Sequence, residues 1–557
     1  MLMKHSVIKP LIIFFLCSAV LIPAGYFSLR HWLIQEPPHI EFCSIDSQIP
    51  QNIHDSLQVL GSNWIHLNDY GLWEMYTSGG AYERGRAAGK LSSNLIDFQE
   101  RVFIERIDQL VPSRSYQRFL RLLIALFNQD VDHNIPAEYL EEIYGISRSA
   151  HDDYDFVGPK YDRMLHYHGA HDIGHMLQNY NLVGCTSFAL WGKKSADSGL
   201  IVGRNFDFYV GDDFDKEKIV EFCRPDSGYG FMFITWGGMR GVVSGMNEKG
   251  LTVTLNAAKS VIPLKVADPV SLIAREILQY ASNIDEAVAI AERRPCFVSE
   301  SYLIASAEDH KAVVIEKSPH HLDIFEGSDG QLICTNHFQS ASFINDPLNQ
   351  EHIRRSASMP RYQRVQELLA VSPPLNVAGT ARILRDQSGH GGSAIGMGNE
   401  KNINQLIAHH SVIFQPEKRR VWVSAGPYQV NAYLCYDLAE ILAQPSVVTE
   451  QPQIYKKDLN LPPDSFFYSQ DWINYLEFRR LTSELQTSGE ETETWSPEKL
   501  QSYLSLNPLF FWSYEVCGDY LARTGRKTEA IKMYQKALEL DIPTLDERER
   551  IQKKLKN

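Results

Sequence analysis

The sequence predicts an α+β protein with an N-terminal membrane anchor and a C-terminal helical tail. Two observations predict the α+β core: a helical pattern precedes residue 185, and short glycine-punctuated runs rich in Val, Ile, Thr and aromatic residues follow it. A third observation predicts the tail, because helical spacing returns beyond residue 465. The chain has 557 residues, and hydrophobic cores stop growing near roughly 250–300 residues, so we expect one large domain with attachments.

Composition narrows the classes of function. Apolar residues make up 44% and charged residues 22% of the chain, which is ordinary for a globular protein. The formal charge of −14 disfavours attraction to nucleic acid phosphates, so no nucleic-acid partner is expected. The eight cysteines lack paired C-x-x-C spacing and predict neither a zinc site nor a disulfide framework. We expect no cofactor and no metal.

The N-terminus carries a targeting signal. Lys4 and Lys9 precede an uninterrupted apolar run, Pro10 to Leu29, which Arg30 closes. A helix of this length spans a hydrocarbon core of roughly 30 Å, whereas a cleavable signal core needs only about 7–15 residues. Residues 1–36 therefore predict a signal anchor and linker, with the catalytic domain held outside the cytoplasm. If the segment is cleaved instead, near Pro23-Ala24-Gly25, the protein would be secreted or periplasmic.

Residues 40–184 form an α-rich segment in this interpretation. Apolar residues recur at three- and four-residue spacing in "RFLRLLIALF" and "YLEEIYGI", which is typical of amphipathic helices. The core, residues 185–445, begins with strand patterns in "CTSFALWG", "GLIVGRNFDF", "GFMFITWGG", "GVVSGMN" and "GLTVTLNAA".

Helices interrupt those strands. Asp268-Pro269 predicts an N-cap followed by proline at the first helical position, and a second helix is expected from Asp285 to Arg293. Strands return in "SYLIAS", "AVVIEKS" and "QLICTN", and a strand pair is expected at "HHSVIFQP" and "RRVWVSAGP". Strands, then helices, then strands within one block predict layered α+β packing.

Beyond the core, residues 446–465 predict a polar, proline-containing linker, and residues 466–557 predict the helical tail. Gly518, Ala530, Tyr534 and Ala537 fit the small and aromatic packing positions of one tetratricopeptide-like helix pair. A binding solenoid needs at least three repeats, so two interpretations stay open. The tail is either a cap packed on the core or a site for a protein partner.

Cys185 is the candidate nucleophile. An isolated cysteine is usually a buried packing residue, but Arg204 and Asp207 lie on the next predicted strand, where a kink would put them on one side. An N-terminal nucleophile enzyme needs a thiol or hydroxyl, a free α-amino group on the same residue as base, and donors for the oxyanion. Gly184 has no side chain, so its own carbonyl, which precedes Cys185, is open to attack.

The order of motifs resembles the isopenicillin-N acyltransferase family (acyl-CoA:6-aminopenicillanic-acid acyltransferases) and, more distantly, the choloylglycine and penicillin V amidohydrolases. The similarity runs from Gly80 to about Leu438. Its motifs are, in order, "GGAYERGRAAGKL", "GCTSFA", "GRNFDF", "GMNEKGLTVTLNAA", "CTNHF" and "SASMPRYQR".

This resemblance implies a four-layer αββα sandwich of the N-terminal nucleophile hydrolases, a leading pro-region, and autocatalytic cleavage of the Gly184–Cys185 bond. It implies that Cys185 attacks an acyl carbonyl while its own amine carries the proton. Asp207 would hold that amine, Arg204 would favour the thiolate, and Asn256 would stabilise the oxyanion.

Two further site residues come from the later motifs. Asn336 would be a second catalytic asparagine, although a buried asparagine that joins two strands is a common structural device. Arg361 would be a site arginine, with a surface cation at a helix N-terminus as the alternative. Cys223, Cys296, Cys334, Cys435 and Cys517 are interpreted as packing residues.

Two other motifs predict no active chemistry. His171 and His175 stand four residues apart, a spacing that suits zinc, but no third ligand or H-E-x-x-H glutamate accompanies them. The glycine-rich segment Ser388 to Gly398 lacks the lysine of a phosphate-binding loop and predicts a flexible loop over the site.

An enzyme held outside the cytoplasm would meet little acyl-CoA, so the expected reaction is hydrolysis of a linear amide, or transfer from a small-molecule or lipid acyl donor. One alternative is a phospholipase-B-like or ceramidase-like lipid acyl hydrolase, for which a longer apolar pocket would speak. Another is an inactive scaffold that binds a protein through its C-terminal helices. The retention of the whole set of site residues argues against the scaffold.

Overall fold

The computed structural model describes residues 34–111, 113–114, 117, 131–169, 172, 184–259, 267–443, 453–487 and 495–556. Within these ranges no helix is both long enough and apolar enough to cross a membrane. The predicted anchor, Pro10 to Leu29, lies outside the described residues, and so does the pair of His171 and His175.

Seventeen strands are present in the described part of the chain. In chain order they are β1 Gln51–His54, β2 Leu57–Leu60, β3 Asn63–Leu67, β4 Trp73–Gly79, β5 Thr186–Leu190, β6 Ile201–Asp207, β7 Ile219–Pro225, β8 Phe231–Thr235, β9 Ser244–Asn247, β10 Leu251–Ala257, β11 Glu300–Ser306, β12 Lys311–Lys317, β13 Leu322–Glu326, β14 Gln331–Cys334, β15 Ala408–Gln415, β16 Arg420–Ser424 and β17 Tyr433–Asp437.

The described α-helices flank these strands. They are α1 Ala81–Leu91, α2 Ser93–Leu110, α3 Val131–Asn134, α4 Ala137–Ser147, α5 Lys160–His168, α6 Val270–Tyr280, α7 Ile284–Arg293, α8 Pro347–Arg355, α9 Ser358–Val371, α10 Val377–Leu384, α11 Leu438–Ala443, α12 Gln470–Thr487, α13 Pro497–Leu506, α14 Phe511–Arg523, α15 Lys527–Glu539 and α16 Leu545–Lys554.

The strands form two sheets. The larger has the order β1-β2-β3-β4-β7-β8-β9-β10-β11-β12-β13, and the smaller has the order β14-β5-β6-β15-β16-β17. Strand β4 runs parallel to β7, while the neighbouring pairs β5–β6 and β15–β6 of the small sheet are antiparallel. The leading segment is therefore built into the large sheet through its own strand β4.

The two sheets stack face to face with helices on both outer faces. Side chains alternate across a strand with period two. On β11, Tyr302 and Ile304 accordingly pack with helices α6 and α7, whereas Leu303 and Ala305 pack with the small sheet. Helices α9 and α10 cover the other face of the small sheet through residues such as Phe188. The order of layers is helices, sheet, sheet, helices, and the α+β class is confirmed.

Most predicted strands of the core are confirmed, as are the helices near 270 and 285. Pro269 is the N-cap of α6 rather than its first residue, and Asn283 caps α7 by accepting from the backbone N of Glu286. Strands β1–β4 were not among the predicted elements, because their short runs lie between polar residues and turns. Strands β7, β13 and β17 of the core were also missed.

Close helix packing explains the glycines of the leading motif. Helices α1 and α4 cross so tightly that a Cβ at Gly85 would lie 1.9 Å from the carbonyl oxygen of Glu142. No side chain fits at that distance, so glycine is required where the two backbones touch.

The tail packs against the core through one surface. Its helices α12–α16 share an aromatic-rich cluster with Leu406, Tyr428 and Val430 of the core. Helices α14 and α15 pack against each other, with Gly518 against the ring of Tyr534. The tetratricopeptide-like interpretation and a partner for these helices stay predictions.

Candidate active site

Strand pairing brings the candidate nucleophile beside its arginine. Cys185 precedes β5, and β5 pairs with β6 so that Ser187 lies opposite Arg204. Arg204 Nη2 is 3.7 Å from Cys185 Sγ, and both residues are fully buried. Cys185 packs in an apolar cluster that includes Phe206 and Trp236. A guanidinium at this distance favours the thiolate over the thiol.

Arg204 is held on several sides. Its guanidinium donates to the hydroxyl of Ser244 and to the carbonyl oxygen of Leu255. It also lies over the ring of Phe206, 4.5 Å from the ring centre. These contacts hold the guanidinium of Arg204 in one orientation, pointing at Cys185. A charge held in place before the reaction is what electrostatic preorganisation requires.

Asp207 is fully buried, and neither oxygen of its carboxylate has a hydrogen-bond partner among the described residues. Its backbone oxygen accepts from the N–H of Gly184 at 2.9 Å, which places it next to the Gly184–Cys185 bond. Burial raises the pKa of Asp207 to about 7, against the opposing effects of Arg361 and Arg204. We expected a kink to put Arg204 and Asp207 on one side of their strand. Their side chains do not form a direct ion pair.

The thiol of Cys185 is kept protonated in this uncut chain. Burial raises its pKa to about 11; the positive charges of Arg204 and Arg361 oppose the rise, and the Asp207 and Glu300 carboxylates add to it. Such a thiol needs a base close by before it becomes a nucleophile.

Asn256 connects the two sheets at the site. Its Oδ1 accepts from the hydroxyl of Ser187 at 2.8 Å, and its Nδ2 donates to the carbonyl oxygen of Cys334 at 3.0 Å. The amide therefore sits between β10, β5 and β14. One of its two N–H donors is engaged in this way, which leaves the second for a reacting oxygen.

Asn336 and Arg361 meet on the other side of Cys185. Arg361, in the first turn of α9, donates to the carbonyl oxygen of Cys185 at 2.5 Å, to Thr186 Oγ1 at 2.9 Å and to Asn336 Oδ1 at 2.8 Å. Arg361 is only 3% exposed, so the alternative of a surface cation is wrong. Asn336 in turn donates to the carbonyl oxygen of Ala257 at 2.9 Å.

The structure thus brings all six candidate residues into one connected region. Several neighbours were missed by the sequence analysis: Ser187, Ser244, Glu300, Ser358 and Gln405. Serine and glutamine at single positions give no spacing signal. Glu300 could have been found as the one charged residue of its strand, Glu300–Ser306.

Two further groups of residues lie outside the site: five other buried cysteines and one cluster of possible metal ligands. Cys223, Cys296, Cys334, Cys435 and Cys517 are buried and not disulfide-bonded, which confirms their interpretation as packing residues. The described residues contain one group with ligand atoms within 4.8 Å of one another, Asp97, His151 and Asp153 of the leading segment. Two of the three are exposed, as acidic surface groups commonly are.

The glycine-rich segment at 388–398 is exposed at residues 390–394, but the tail covers its end. A Cβ at Gly396 would be 2.6 Å from the backbone of Phe510, and Asn507 exchanges two hydrogen bonds with the backbone of Met397. The end of this segment is therefore the docking surface of the tail.

Part of the chain matches a known protein family. Residues 193–428 match the model of the acyl-coenzyme A:6-aminopenicillanic acid acyl-transferase family. The predicted resemblance to this family is confirmed. The match contains Arg204, Asp207, Asn256, Asn336 and Arg361 and begins eight residues after Cys185. No curated protein matches the chain.

Among solved structures, the chain is similar to a Caenorhabditis elegans ortholog of N-acylethanolamine-hydrolyzing acid amidase, with 17% identity and a TM-score of 0.30 over 42% of this chain and 93% of that one. It is also similar to conjugated bile acid hydrolase from Clostridium perfringens, with 16% identity and a TM-score of 0.30 over 49% and 95% of the two chains.

Proposed function

We propose that this protein is a self-processing enzyme that hydrolyses or transfers an acyl group at a linear amide, with Cys185 as its N-terminal nucleophile. The match to the acyl-transferase family supports acyl chemistry at a carbonyl carbon. The arrangement of Cys185, Arg204 and Asp207 supports a cysteine as the nucleophile.

The observation that carries the proposal is the unpartnered carboxylate of Asp207. An ionised carboxylate without hydrogen bonds is costly to bury, and native structures rarely tolerate one without a functional reason. Cleavage of the Gly184–Cys185 bond would create a free α-amine on Cys185, beside the hydrogen bond between the N–H of Gly184 and the backbone oxygen of Asp207. The carboxylate is therefore prepared for a partner that only the processed chain possesses.

Self-processing would proceed through a thioester. Cys185 Sγ attacks the carbonyl carbon of Gly184, the new C–S bond replaces the C–N bond, and the thiol proton passes to the departing nitrogen of Cys185. Water then hydrolyses the thioester, which releases the Gly184 carboxylate and the free thiol. Asp207, with its pKa near 7, is suited to carry that proton near neutral pH.

Turnover would reuse the same groups on a substrate. The α-amine, with a reference pKa of roughly 7.7–8.0, takes the thiol proton as Sγ attacks the substrate carbonyl. The proton then goes to the leaving amine, and an acyl thioester remains on Cys185. Water or a second amine resolves that thioester, which distinguishes hydrolysis from transfer.

The surrounding amides and arginines take supporting roles in this proposal. The free N–H of Asn256 stabilises the tetrahedral oxyanion, and loss of one such donor commonly costs about 2.7–4 kcal/mol in the transition state. Arg361 orients the backbone of Cys185 and the side chain of Asn336. Asn336 borders the substrate from the side of β10.

Aromatic residues beside the nucleophile favour an apolar acyl group. Phe206 stacks on Phe208 with ring centres 5.8 Å apart and lies parallel to Trp236 at 6.4 Å. This cluster keeps a second candidate open, a phospholipase-B-like or ceramidase-like lipid acyl hydrolase. A membrane-anchored enzyme outside the cytoplasm, or a secreted or periplasmic one, suits either substrate. Hydrolysis rates over a series of N-acyl and ester substrates of rising chain length separate the two.

The decisive experiment follows self-cleavage in the chain from residue 34 onward. Wild type is expected to yield two pieces, of which the larger begins at Cys185 by N-terminal sequencing. Cys185→Ala is expected to stay intact and lose all activity, because no nucleophile is left. Cys435→Ala is the matched control, since it also removes a buried thiol.

An intact wild-type chain would contradict self-activation. Cys185 would then be a nucleophile that only an outside protease can activate, or the protein would be a binding scaffold. Cleavage that persists in Cys185→Ala would instead assign the cut to a contaminating protease.

A further inference from the structure

One buried side chain outside the predicted site touches the bond that must break. Gln405 Nε2 lies 2.6 Å from the carbonyl oxygen of Gly184, and Gln405 is only 2% exposed. A carbonyl oxygen can only accept, so the nitrogen end of the amide must face it. The N–H of Gln405 is thus aimed at the oxygen of the peptide bond between Gly184 and Cys185.

Gly184 makes this close approach possible. A Cβ at this position would lie 2.7 Å from Gln405 Oε1 and 2.8 Å from Nε2. Any larger residue would push the amide away from the carbonyl. The glycine before the nucleophile therefore leaves room for this donor, in addition to leaving the carbonyl open.

No other side chain in the described part of the chain donates to the Gly184 oxygen. Arg361 binds the carbonyl one residue further on, that of Cys185, and Asn256 donates to Cys334. One N–H of Asn256, the predicted oxyanion donor for substrates, is thus bound to Cys334, and Asn256 makes no hydrogen bond to the Gly184 oxygen in the uncut chain. Self-cleavage and turnover need donors at different oxygens.

The C-terminal tail fixes the segment that carries Gln405. The hydroxyl of Tyr475 donates to the carbonyl oxygen of Leu406 at 3.3 Å. Upstream, Asn399 donates to the carbonyl oxygen of Asp541 at 2.9 Å, and Lys401 forms an ion pair with the carboxylate of Asp541. Contacts from the tail therefore lie on both sides of Gln405.

We propose that Gln405 is the oxyanion donor for self-cleavage and that the C-terminal tail positions it. The inference rests on the proposed self-processing. As Cys185 Sγ bonds to the carbonyl carbon of Gly184, negative charge develops on the oxygen that Gln405 contacts. The N–H of Gln405 stabilises that charge until the C–N bond breaks and the oxygen regains its double bond. After the cut, Gly184 is a free carboxylate and this role ends.

The test measures the rate of self-cleavage in the chain from residue 34, for two substitutions with different chemistry. Gln405→Met keeps the length of the side chain but has no donor, and loss of one oxyanion donor slows a reaction about 10²–10³-fold. It should cut that much more slowly than wild type at every pH. Gln405→Glu should be equally slow at pH 8, where an ionised carboxylate repels the developing oxyanion.

The cleavage rate of Gln405→Glu should depend on pH in a way that a purely structural role of Gln405 would not produce. A protonated carboxyl group can donate, and burial raises a carboxyl pKa, so its cleavage rate relative to wild type should recover as pH falls towards 5. Gln429→Glu is the control: it places a glutamate at another fully buried glutamine, whose amide bonds Leu384 instead. It should cut at the wild-type rate.

The outcomes separate this inference from the function on which it rests. An uncut wild-type chain contradicts the proposed function itself. A cut wild type, together with a folded Gln405→Met that cuts equally fast, overturns only the role of Gln405. If the Met variant does not fold, the pH profile of Gln405→Glu decides, and a ratio to wild type that stays constant with pH rejects the donor.

Discussion

Two carboxylates of this protein are equally buried and yet behave in opposite ways. Glu142, in the leading segment, is surrounded by Arg84, Arg240 and Arg275 at 3.0, 2.5 and 3.2 Å. Asp207, beside Cys185, has no hydrogen-bond partner for its carboxylate among the described residues. Burial alone would raise both pKa values. The three arginines outweigh burial at Glu142 and hold its pKa well below the usual range, whereas the pKa of Asp207 rises to about 7.

The difference between the paired carboxylate of Glu142 and the unpaired one of Asp207 indicates different roles. The cluster of Glu142 joins residues of the leading segment to Arg240 and Arg275 of the core, so it stabilises their association. With β4 inside the large sheet, it should keep the leading segment bound after a cut at residue 185. Asp207 instead has a buried carboxylate without a hydrogen bond and a raised pKa, and such perturbed groups cluster at functional sites.

The largest expected effect comes from removing the paired carboxylate. Glu142→Gln leaves three buried arginines without their shared counter-charge, and breaking a buried ion pair costs about 3–5 kcal/mol. Urea unfolding of the Cys185→Ala chain, with and without this change, measures the loss of stability. In the processing-competent chain, the two cut pieces should separate on gel filtration, whereas wild-type pieces elute together. Unchanged stability would mean that the arginines are solvated.

Removing the unpaired carboxylate of Asp207 should raise the stability of the folded chain instead of lowering it. The pKa of Asp207 is about 7 in the folded chain and near 3.9 when unfolded, so the folded chain binds more protons in between and loses stability as pH rises through this window. In the Cys185→Ala background, Asp207→Asn should stabilise the chain by up to about 4 kcal/mol above pH 7 and by little near pH 4.

The readout for Asp207→Asn is the denaturation midpoint at pH 4.5 and pH 8. The same substitution in the otherwise wild-type chain should slow self-cleavage, which a stabilising surface change would not do. Lower stability at pH 8 would show that a partner for this carboxylate exists in the uncut chain.

The smallest effect is expected at the rim of the Glu142 cluster. Glu138 also pairs with Arg84, at 2.9 Å, but its side chain is 25% exposed. Water can replace the lost charge there, so Glu138→Gln should cost only about 1 kcal/mol. The same urea experiment measures it beside Glu142→Gln. Equal losses at the two positions would contradict the explanation by depth of burial.

The sequence by itself determined most strands of the core and the segment around Cys185. The runs at 186–190 and 201–207 predict two neighbouring strands, and the local connection at 191–200 lets them pair, which brings Cys185 close to Arg204. The order of motifs added Asn256, Asn336 and Arg361 to the site. The local pattern carries this information because strand pairing across a short connection is set by sequence neighbours.

Only the tertiary structure decided the rest. Strand β4 joins β7 in parallel across about 140 residues, and no local periodicity encodes such a partner. Arg361 could be an exposed or a buried cation until the packing of α9 against β5 settled it. Gln405 gives no signal in the sequence, since a single glutamine is ordinary on any loop. Gln405 lies 221 residues from Gly184 in the chain, and the fold brings its loop against the Gly184–Cys185 bond, with Tyr475 of the tail bonded to the neighbouring Leu406.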